Sequence, residues 1–203
     1  VINGKYNLNV SFLEEINLEQ GLRNIVELGG YFGTIEVPQM EEEYLDEPLD
    51  LGDLELKMYN PLEVGNVAPL FEAKTVDGND LRLIDYRGKF VLISSWMPAY
   101  YPELQELKDI YETCRNDEQF ALIGFSSNDT LEEVQKQIRE DDIAWPQIYL
   151  GEDMDSQIAY DYGQYGLTWA FLIDREGRIV ERKIPGGNFS EFKSAVMETI
   201  KEK

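Results

Sequence analysis

The sequence has no histidine and a single cysteine, Cys114, among its 203 residues. Within this chain there is therefore no serine–histidine or cysteine–histidine catalysis, no zinc site built from histidine or cysteine, and no internal disulfide. From the side chains that remain we predict neither a metal site nor a cofactor.

Basic residues are also scarce, because lysine and arginine together number 18 against 40 aspartates and glutamates, giving a net charge of −22. Nucleic acids and anionic membranes would repel such a surface, so we predict no nucleic-acid partner. No apolar run approaches the roughly 20 residues of a membrane-spanning helix, so we predict no membrane insertion. The first residues resemble no signal peptide and lack an initiator methionine, and we interpret the chain as a fragment of a longer protein.

What the chain does contain is typical of a globular protein: 43% hydrophobic and 12% aromatic residues. Its length suits one domain or a domain and a half, which is enough to bury a core.

Residues 1–59 have the pattern of antiparallel β-structure. Apolar residues alternate with polar ones in the first candidate strand, at Tyr6, Leu8, Val10 and Phe12. Residues 31–37 and 49–57 are further candidates, the last with a bulge or bend expected at Gly52 and Asp53. Three or four strands are few for a free-standing sheet, so we predict that this segment packs on another part of the protein.

Residues 41–48, EEEYLDEP, carry five carboxylates and no basic residue. This composition favours an exposed, mobile loop. A calcium site is the functional alternative, since that ion prefers hard oxygen ligands, but the spacing lacks the glycine of a tight turn.

From residue 61 the pattern changes to alternating strands and helices. Continuous apolar runs predict buried strands at residues 90–95 and 120–125, and residues 170–173 and 179–183 predict a hairpin. Amphipathic spacing predicts helices at residues 102–115, 131–138 and 156–162, with a last helix beginning near residues 188–190.

Four stretches within residues 60–203 are similar to motifs of the redoxin and TlpA-like (AhpC/TSA-type) thiol-disulfide oxidoreductases. They are LEVGNVAPLF at 62–71, VDGNDL at 76–81, LIDYRGKFVL at 83–92 and GQYGLTWAFLIDREG at 163–177. The resemblance implies an α/β, thioredoxin-like fold, with a central mixed sheet flanked by helices, following the β segment of residues 1–59. That segment more weakly resembles a carboxypeptidase-regulatory-like β-sandwich, and this resemblance implies a partial β-sandwich in residues 1–59.

The motif that carries the family's chemistry is altered. The family has Trp-Cys-x-x-Cys after its first buried strand, where a helix N-terminus lowers the pKa of the attacking thiol and a second thiol resolves the mixed disulfide. Aligning Trp96 with the family's tryptophan puts Tyr100 and Glu103 at the two cysteine positions. Thr168 stands where the family has a cis-proline, so we expect a trans peptide bond there.

Aromatic residues surround these degenerate positions. We expect Trp96, Tyr100, Tyr101 and Trp169 to approach one another, either filling space left by the lost chemistry or forming a groove that recognises a partner. Glu103 lies in the first turn of its helix, where a carboxylate stabilises the helix electrostatically.

The lone thiol, Cys114, lies 14 residues beyond Tyr100, or roughly 20 Å along a helix. It shares a helical face with Leu104, Leu107 and Tyr111, which favours a packing role over a redox role.

These features predict a non-catalytic binding or structural module, extracytoplasmic by family resemblance, with a protein or peptide as a possible partner. The alternative is a thiol-disulfide oxidoreductase or one-cysteine peroxidase that uses Cys114 or a partner's thiol.

Overall fold

The computed structural model describes residues 4–17, 23–37, 50–55, 57–58, 62–96, 101–126, 130–151, 157–162, 169–183 and 187–202. The chain divides into two compact units, Val1–Asn60 and Pro61–Lys203.

The first unit contains a long antiparallel ribbon. Strands β1 (Gly4–Asn17) and β2 (Arg23–Val37) pair along their whole length, with a register shift between Phe12 and Leu13. The short β3 (Lys57–Met58) pairs with β2 at Gly29 and Gly30, so the sheet order is β1-β2-β3. The first two predicted strands are therefore parts of longer ones.

The third predicted strand, residues 49–57, is wrong over most of its length. Residues 50–55 form no strand, and only Lys57 at the end of the predicted range enters the sheet. The Gly52 N–H donates to Asp50 Oδ1 at 2.8 Å, and Gly52 has a φ of 68°. This Asx turn interrupts the extended backbone at the place where the alternation slips. The acidic segment 41–48, with its calcium alternative, lies outside the described residues.

The second unit is built on a five-stranded mixed sheet, as predicted. Its strands are β6 (Phe90–Ser95), β7 (Phe120–Ser126), β8 (Gln147–Tyr149), β9 (Ala170–Ile173) and β10 (Ile179–Lys183). The order is β10-β9-β6-β7-β8, in which β6, β7 and β8 are parallel and β9 is antiparallel to both of its neighbours. A hairpin of β4 (Glu72–Lys74) and β5 (Asp80–Arg82) precedes the sheet.

Four helices flank this sheet: α1 (Tyr101–Cys114), α2 (Leu131–Glu140), α3 (Gln157–Asp161) and α4 (Phe189–Lys201). Thr130 and Glu133 form a reciprocal capping box at the start of α2. The Asn188 side chain accepts from two backbone N–H groups at the start of α4. These caps explain why both helices begin where the sequence pattern indicated.

The core consists of two hydrophobic clusters on opposite sides of the sheet. Successive strand residues point to opposite faces, so Val91 and Ile93 join one cluster while Phe90 and Leu92 join the other. The first cluster also holds Tyr162 and Trp169, and the second holds residues of α1 and α4. The start of α1 is thus fixed against one face of the sheet.

Leu107 tests this packing of α1, because its side chain is fully buried. We expect Leu107→Ala to lower the free energy of unfolding by about 2–5 kcal/mol, through lost burial and the cavity left behind. Urea denaturation measures it, with the exposed Gln105→Ala in the same helix as the control. Equal effects of the two substitutions would contradict the packing.

Candidate functional site

The sequence resemblance predicts that the family's active-site region falls between β6 and α1. The structure describes the sheet up to Trp96 and the chain again from Tyr101, whose side chain is not among those described. Tyr100 and Thr168 both lie outside the described residues, so their assignment to degenerate active-site positions stays a prediction. Glu103 is described in full.

Glu103, in the first turn of α1, forms a buried ion pair with Lys183, the last residue of β10. Its Oε1 lies 2.7 Å from Lys183 Nζ, and the exposed fractions of the two side chains are 18% and 2%. Lys183 ends β10, and its ammonium nitrogen also lies 5.5 Å from the centroid of the Phe189 ring. The first turn of α1 is therefore held to the last strand of the sheet and the first residue of α4.

The register of the sheet puts Lys183 in this position. Lys183 pairs with Ala170 in the β9–β10 hairpin, and directly opposed residues share a face. Ala170 belongs to the cluster on the α1 side of the sheet, so Lys183 faces the start of α1. A buried lysine needs a partner, and Glu103 supplies it.

The second carboxylate oxygen of Glu103 has no such partner. Oε2 is buried and receives no hydrogen bond from any described residue. A buried acceptor without a donor destabilises the folded state. The start of α1 therefore carries one acceptor that no described residue satisfies.

Trp96 belongs to the hydrophobic cluster on the α1 side of the sheet, and a buried hydrogen bond fixes its indole ring. Its indole Nε1 donates to Gln147 Oε1 at 2.7 Å, and Gln147 Nε2 donates to the Trp145 carbonyl at 3.2 Å. The buried Gln147 amide passes so close to Gly124 that a methyl group at position 124 would overlap it. A side chain at position 124 would therefore have to displace the Gln147 amide, which accepts the Trp96 hydrogen bond.

Trp169 lies on the opposite side of the sheet. Its backbone N–H donates to Ser95 Oγ at 3.0 Å, while its ring stacks on Tyr162 at 6.0 Å between centroids. The Phe125 ring packs against the Trp169 ring in an edge-on arrangement, with 5.6 Å between the two ring centroids. Trp169 is thus part of an aromatic core and is only 3% exposed.

The expectation that Trp96 and Trp169 approach one another in a groove needs correction. The Ser95 N–H donates to the Trp169 carbonyl, which puts these two residues opposite each other, and Trp96, the next residue, points to the other face. The two indoles therefore belong to different clusters, and both are buried. A recognition surface at this place stays a prediction that depends on Tyr100 and Tyr101.

Cys114 is the last residue of α1 and is 5% exposed. Its Sγ lies 4.0 Å from Met197 Sδ on α4. Burial raises the pKa of the Cys114 thiol, the Asp117 carboxylate raises this pKa further, and Lys201 opposes both effects. The thiolate, which is the reactive form, is therefore disfavoured.

Sequence reasoning missed two residues that define this region, Lys183 and Gln147. Lys183 belongs to a hairpin strand in which charged residues are frequent, and only the strand register reveals that it faces inward. Gln147 begins β8, a three-residue strand that no periodicity indicated. One local feature could have indicated that Gln147 is buried: it is the single polar amide within the mainly apolar run IAWPQIYL.

The described part of the chain shows neither a metal-binding cluster nor a membrane-spanning helix. Those residues include no cluster of three or more acidic or cysteine side chains that could hold a metal ion. None of the helices described above is long and apolar enough to cross a bilayer.

Comparison with known proteins places this fold in a family. The family model described as AhpC/TSA matches residues 64–182, which is more than half of the chain. The chain therefore belongs to the AhpC/TSA family.

Individual relatives agree with this assignment. The chain is 28% identical to the thiol-disulfide oxidoreductase ResA of Geobacillus thermodenitrificans over 144 residues, covering 68% of this chain and 78% of the relative. It is also 28% identical to the thioredoxin domain of a thiol-disulfide oxidoreductase from Bacteroides vulgatus, with a TM-score of 0.58 over 68% of this chain and 98% of the other. A thiol:disulfide interchange protein from Bacteroides sp. gives 28% identity and a TM-score of 0.58, over 68% and 90% of the two chains. The second unit is therefore a thioredoxin-like domain of the redoxin type.

We predict that removing one partner of the buried Glu103–Lys183 ion pair destabilises the protein far more than removing one partner of an exposed ion pair. We expect Glu103→Ala to lower the free energy of unfolding by about 3–5 kcal/mol, because it leaves the buried Lys183 ammonium without its carboxylate. Chemical denaturation at neutral pH measures the change.

The matched control is the pair of Lys74 and Asp80, which has a similar separation of 2.6 Å but exposed fractions of 68% and 83%. Asp80→Ala is expected to leave stability almost unchanged, since solvent screens exposed charges. If the two alanine variants had the same stability, the Glu103 pair would have no special role.

Burial of Cys114 predicts slow reaction with thiol reagents. Because its pKa is raised and its side chain is covered, the native protein at pH 8 should react with Ellman's reagent far more slowly than the protein in denaturant. The absorbance released over time measures both rates. Equal rates would show an accessible thiol and contradict the structure.

Proposed function

We propose that this chain is a redoxin-type thioredoxin-like module that does not itself catalyse thiol–disulfide exchange and instead binds a protein or peptide partner. The observation that carries the proposal is the ion pair between Glu103 and Lys183 at the start of α1. In the register set by Trp96, this carboxylate stands at the family's second cysteine position.

Thiol–disulfide exchange needs a thiolate that attacks a disulfide and a second thiol that releases the mixed disulfide. A glutamate carboxylate does neither, because it cannot form a disulfide bond. The predicted first position, Tyr100, carries a phenol, which likewise cannot form one. The chain therefore keeps the helix start that activates the family's thiol and lacks the sulfur atoms on which that activation acts.

Cys114 is poorly placed to replace these atoms. It lies 11 residues beyond Glu103 in α1, which corresponds to about 16 Å along the helix axis. It is also buried, with a raised thiol pKa. Both facts argue against the alternative of a one-cysteine peroxidase that uses this residue.

The partner and compartment follow from the charge and the family. With a net charge of −22, the chain is better suited to a neutral or basic protein or peptide than to nucleic acid. Resemblance to redoxin and TlpA-like proteins supports a place outside the cytoplasm, as expected from the sequence.

An insulin-reduction assay tests the absence of exchange activity. With dithiothreitol as the electron donor, we expect the chain to precipitate insulin no faster than dithiothreitol alone, and Cys114→Ser to behave identically. Thioredoxin serves as the positive control. Turnover above the background that disappears in Cys114→Ser would contradict the proposal and favour a reactive Cys114.

A further inference from the structure

The second unit carries an exposed apolar segment just ahead of the β4–β5 hairpin. Residues 64–70 contain three of the six large apolar side chains that are exposed in the described part of the chain: Val64, Val67 and Leu70, each more than half exposed. The backbone of this segment is fixed, because the Ala68 N–H donates to the Gly177 carbonyl at 3.0 Å and Val67 forms a bridge with Arg178. A cluster of apolar groups that a fixed backbone holds in solvent is typical of an interaction surface.

Two exposed arginines border this segment. The bridge puts Arg178 opposite Val67, so their side chains share a face, and the Arg178 guanidinium donates to the Gly65 carbonyl at 3.1 Å. The Arg87 guanidinium lies against Gly177 and donates to a backbone carbonyl of the same turn. A guanidinium group has five N–H donors, so each arginine keeps donors for a partner.

Nearby carboxylates do not neutralise these two arginines, because they are engaged elsewhere. Glu63 pairs with Arg182 at 2.8 Å. Asp85 pairs with Arg82 at 2.7 Å. In the turn of residues 174–177, one carboxylate accepts from two backbone N–H groups and the other is exposed. Among the described residues both bordering guanidinium groups are thus left without an ion pair, in a chain whose net charge is −22.

This surface lies at the opposite edge of the sheet from the Glu103–Lys183 ion pair. Strands β6 and β10 run in the same direction, because each is antiparallel to β9. Arg87 and Arg178 precede these two strands, whereas Glu103 follows β6 and Lys183 ends β10. The length of a strand, about 15 Å, therefore separates the two regions.

The shape of the surface decides which kind of partner it fits. The pocket that Leu70 and Arg87 help to line has a volume of about 10 Å³, the size of one water molecule. It is too small for an organic ligand, so a partner has to cover the surface from outside. The net charge of the chain repels nucleic acids and anionic membranes. A short acidic segment within a neutral or basic protein is not repelled in this way.

We propose that this surface docks a segment of a partner protein in which an apolar side chain stands between acidic ones. The apolar side chain covers Val67 and Leu70, and the carboxylates pair with Arg87 and Arg178. Charge-assisted hydrogen bonds of this kind are stronger than neutral ones and fix the register of the segment. The inference goes beyond the proposed function, because it concerns the other edge of the sheet and does not depend on the absence of exchange activity.

Nuclear magnetic resonance of the full chain tests the proposal with three acetylated and amidated pentapeptides. The first has the sequence Gly-Glu-Leu-Glu-Gly, the second replaces both glutamates by glutamine, and the third replaces the leucine by serine. We expect the first peptide to shift the backbone amide signals of Val67 and Gly177 in a saturable way, with the Lys183 signal unchanged. The other two peptides should bind more weakly, because each lacks one of the two features that the surface recognises.

The substitution Arg178→Gln should weaken binding of the acidic peptide about twofold to fivefold, the effect of one exposed charge pair, and leave the weaker binding of the glutamine peptide unchanged. The matched control is Arg139→Gln, which makes the same charge change at an exposed arginine of α2 and should have no effect.

The proposal is overturned if the acidic peptide gives no saturable shift up to about 10 mM, or if the three peptides bind equally. Shifts at Lys183 in place of Val67 overturn it as well, while leaving the proposed function standing. If the Val67 signal moves with protein concentration in the absence of peptide, the surface contacts a second copy of this chain, which also overturns the proposal.

Discussion

The ion pair between Glu103 and Lys183 is the constraint on which the site region of this domain depends. A lysine that is 2% exposed needs a compensating charge, and the Glu103 carboxylate in the first turn of α1 supplies it. The pair joins the helix that would carry the redox cysteines to the last strand of the sheet. The pair therefore fixes the first turn of α1, where the sequence resemblance predicts the family's second cysteine position.

The rest of the core is organised around the alternation of residues across the sheet. Trp96 and Trp169 stand on neighbouring strand ends, yet one indole faces α1 and the other faces Tyr162. Gln147 satisfies the first indole from within the core, and Gly124 leaves room for its amide. Both tryptophans therefore support the frame of the domain.

The sequence predicted those features that depend on local pattern and family motifs. The strand Phe90–Ser95 and the hairpin of β9 and β10 were placed correctly, because β6 and β9 are short apolar runs and a turn at residues 174–177 joins β9 to β10. The strand expected at residues 49–57 failed because the Asx turn at Asp50 outweighs an apolar alternation. The inward position of Lys183 and the separation of the two tryptophans depend on strand register, which a single sequence does not reveal.

Membership of the AhpC/TSA family describes the frame of this domain, and the side chains on that frame decide its chemistry. The most direct measurement is a double-mutant cycle with Glu103→Gln, Lys183→Met and the double variant, using denaturant unfolding at neutral pH. A coupling free energy above about 1.5 kcal/mol would establish the buried pair as a constraint that fixes the start of α1. A coupling below about 0.5 kcal/mol would show that the two residues act independently and would contradict the account.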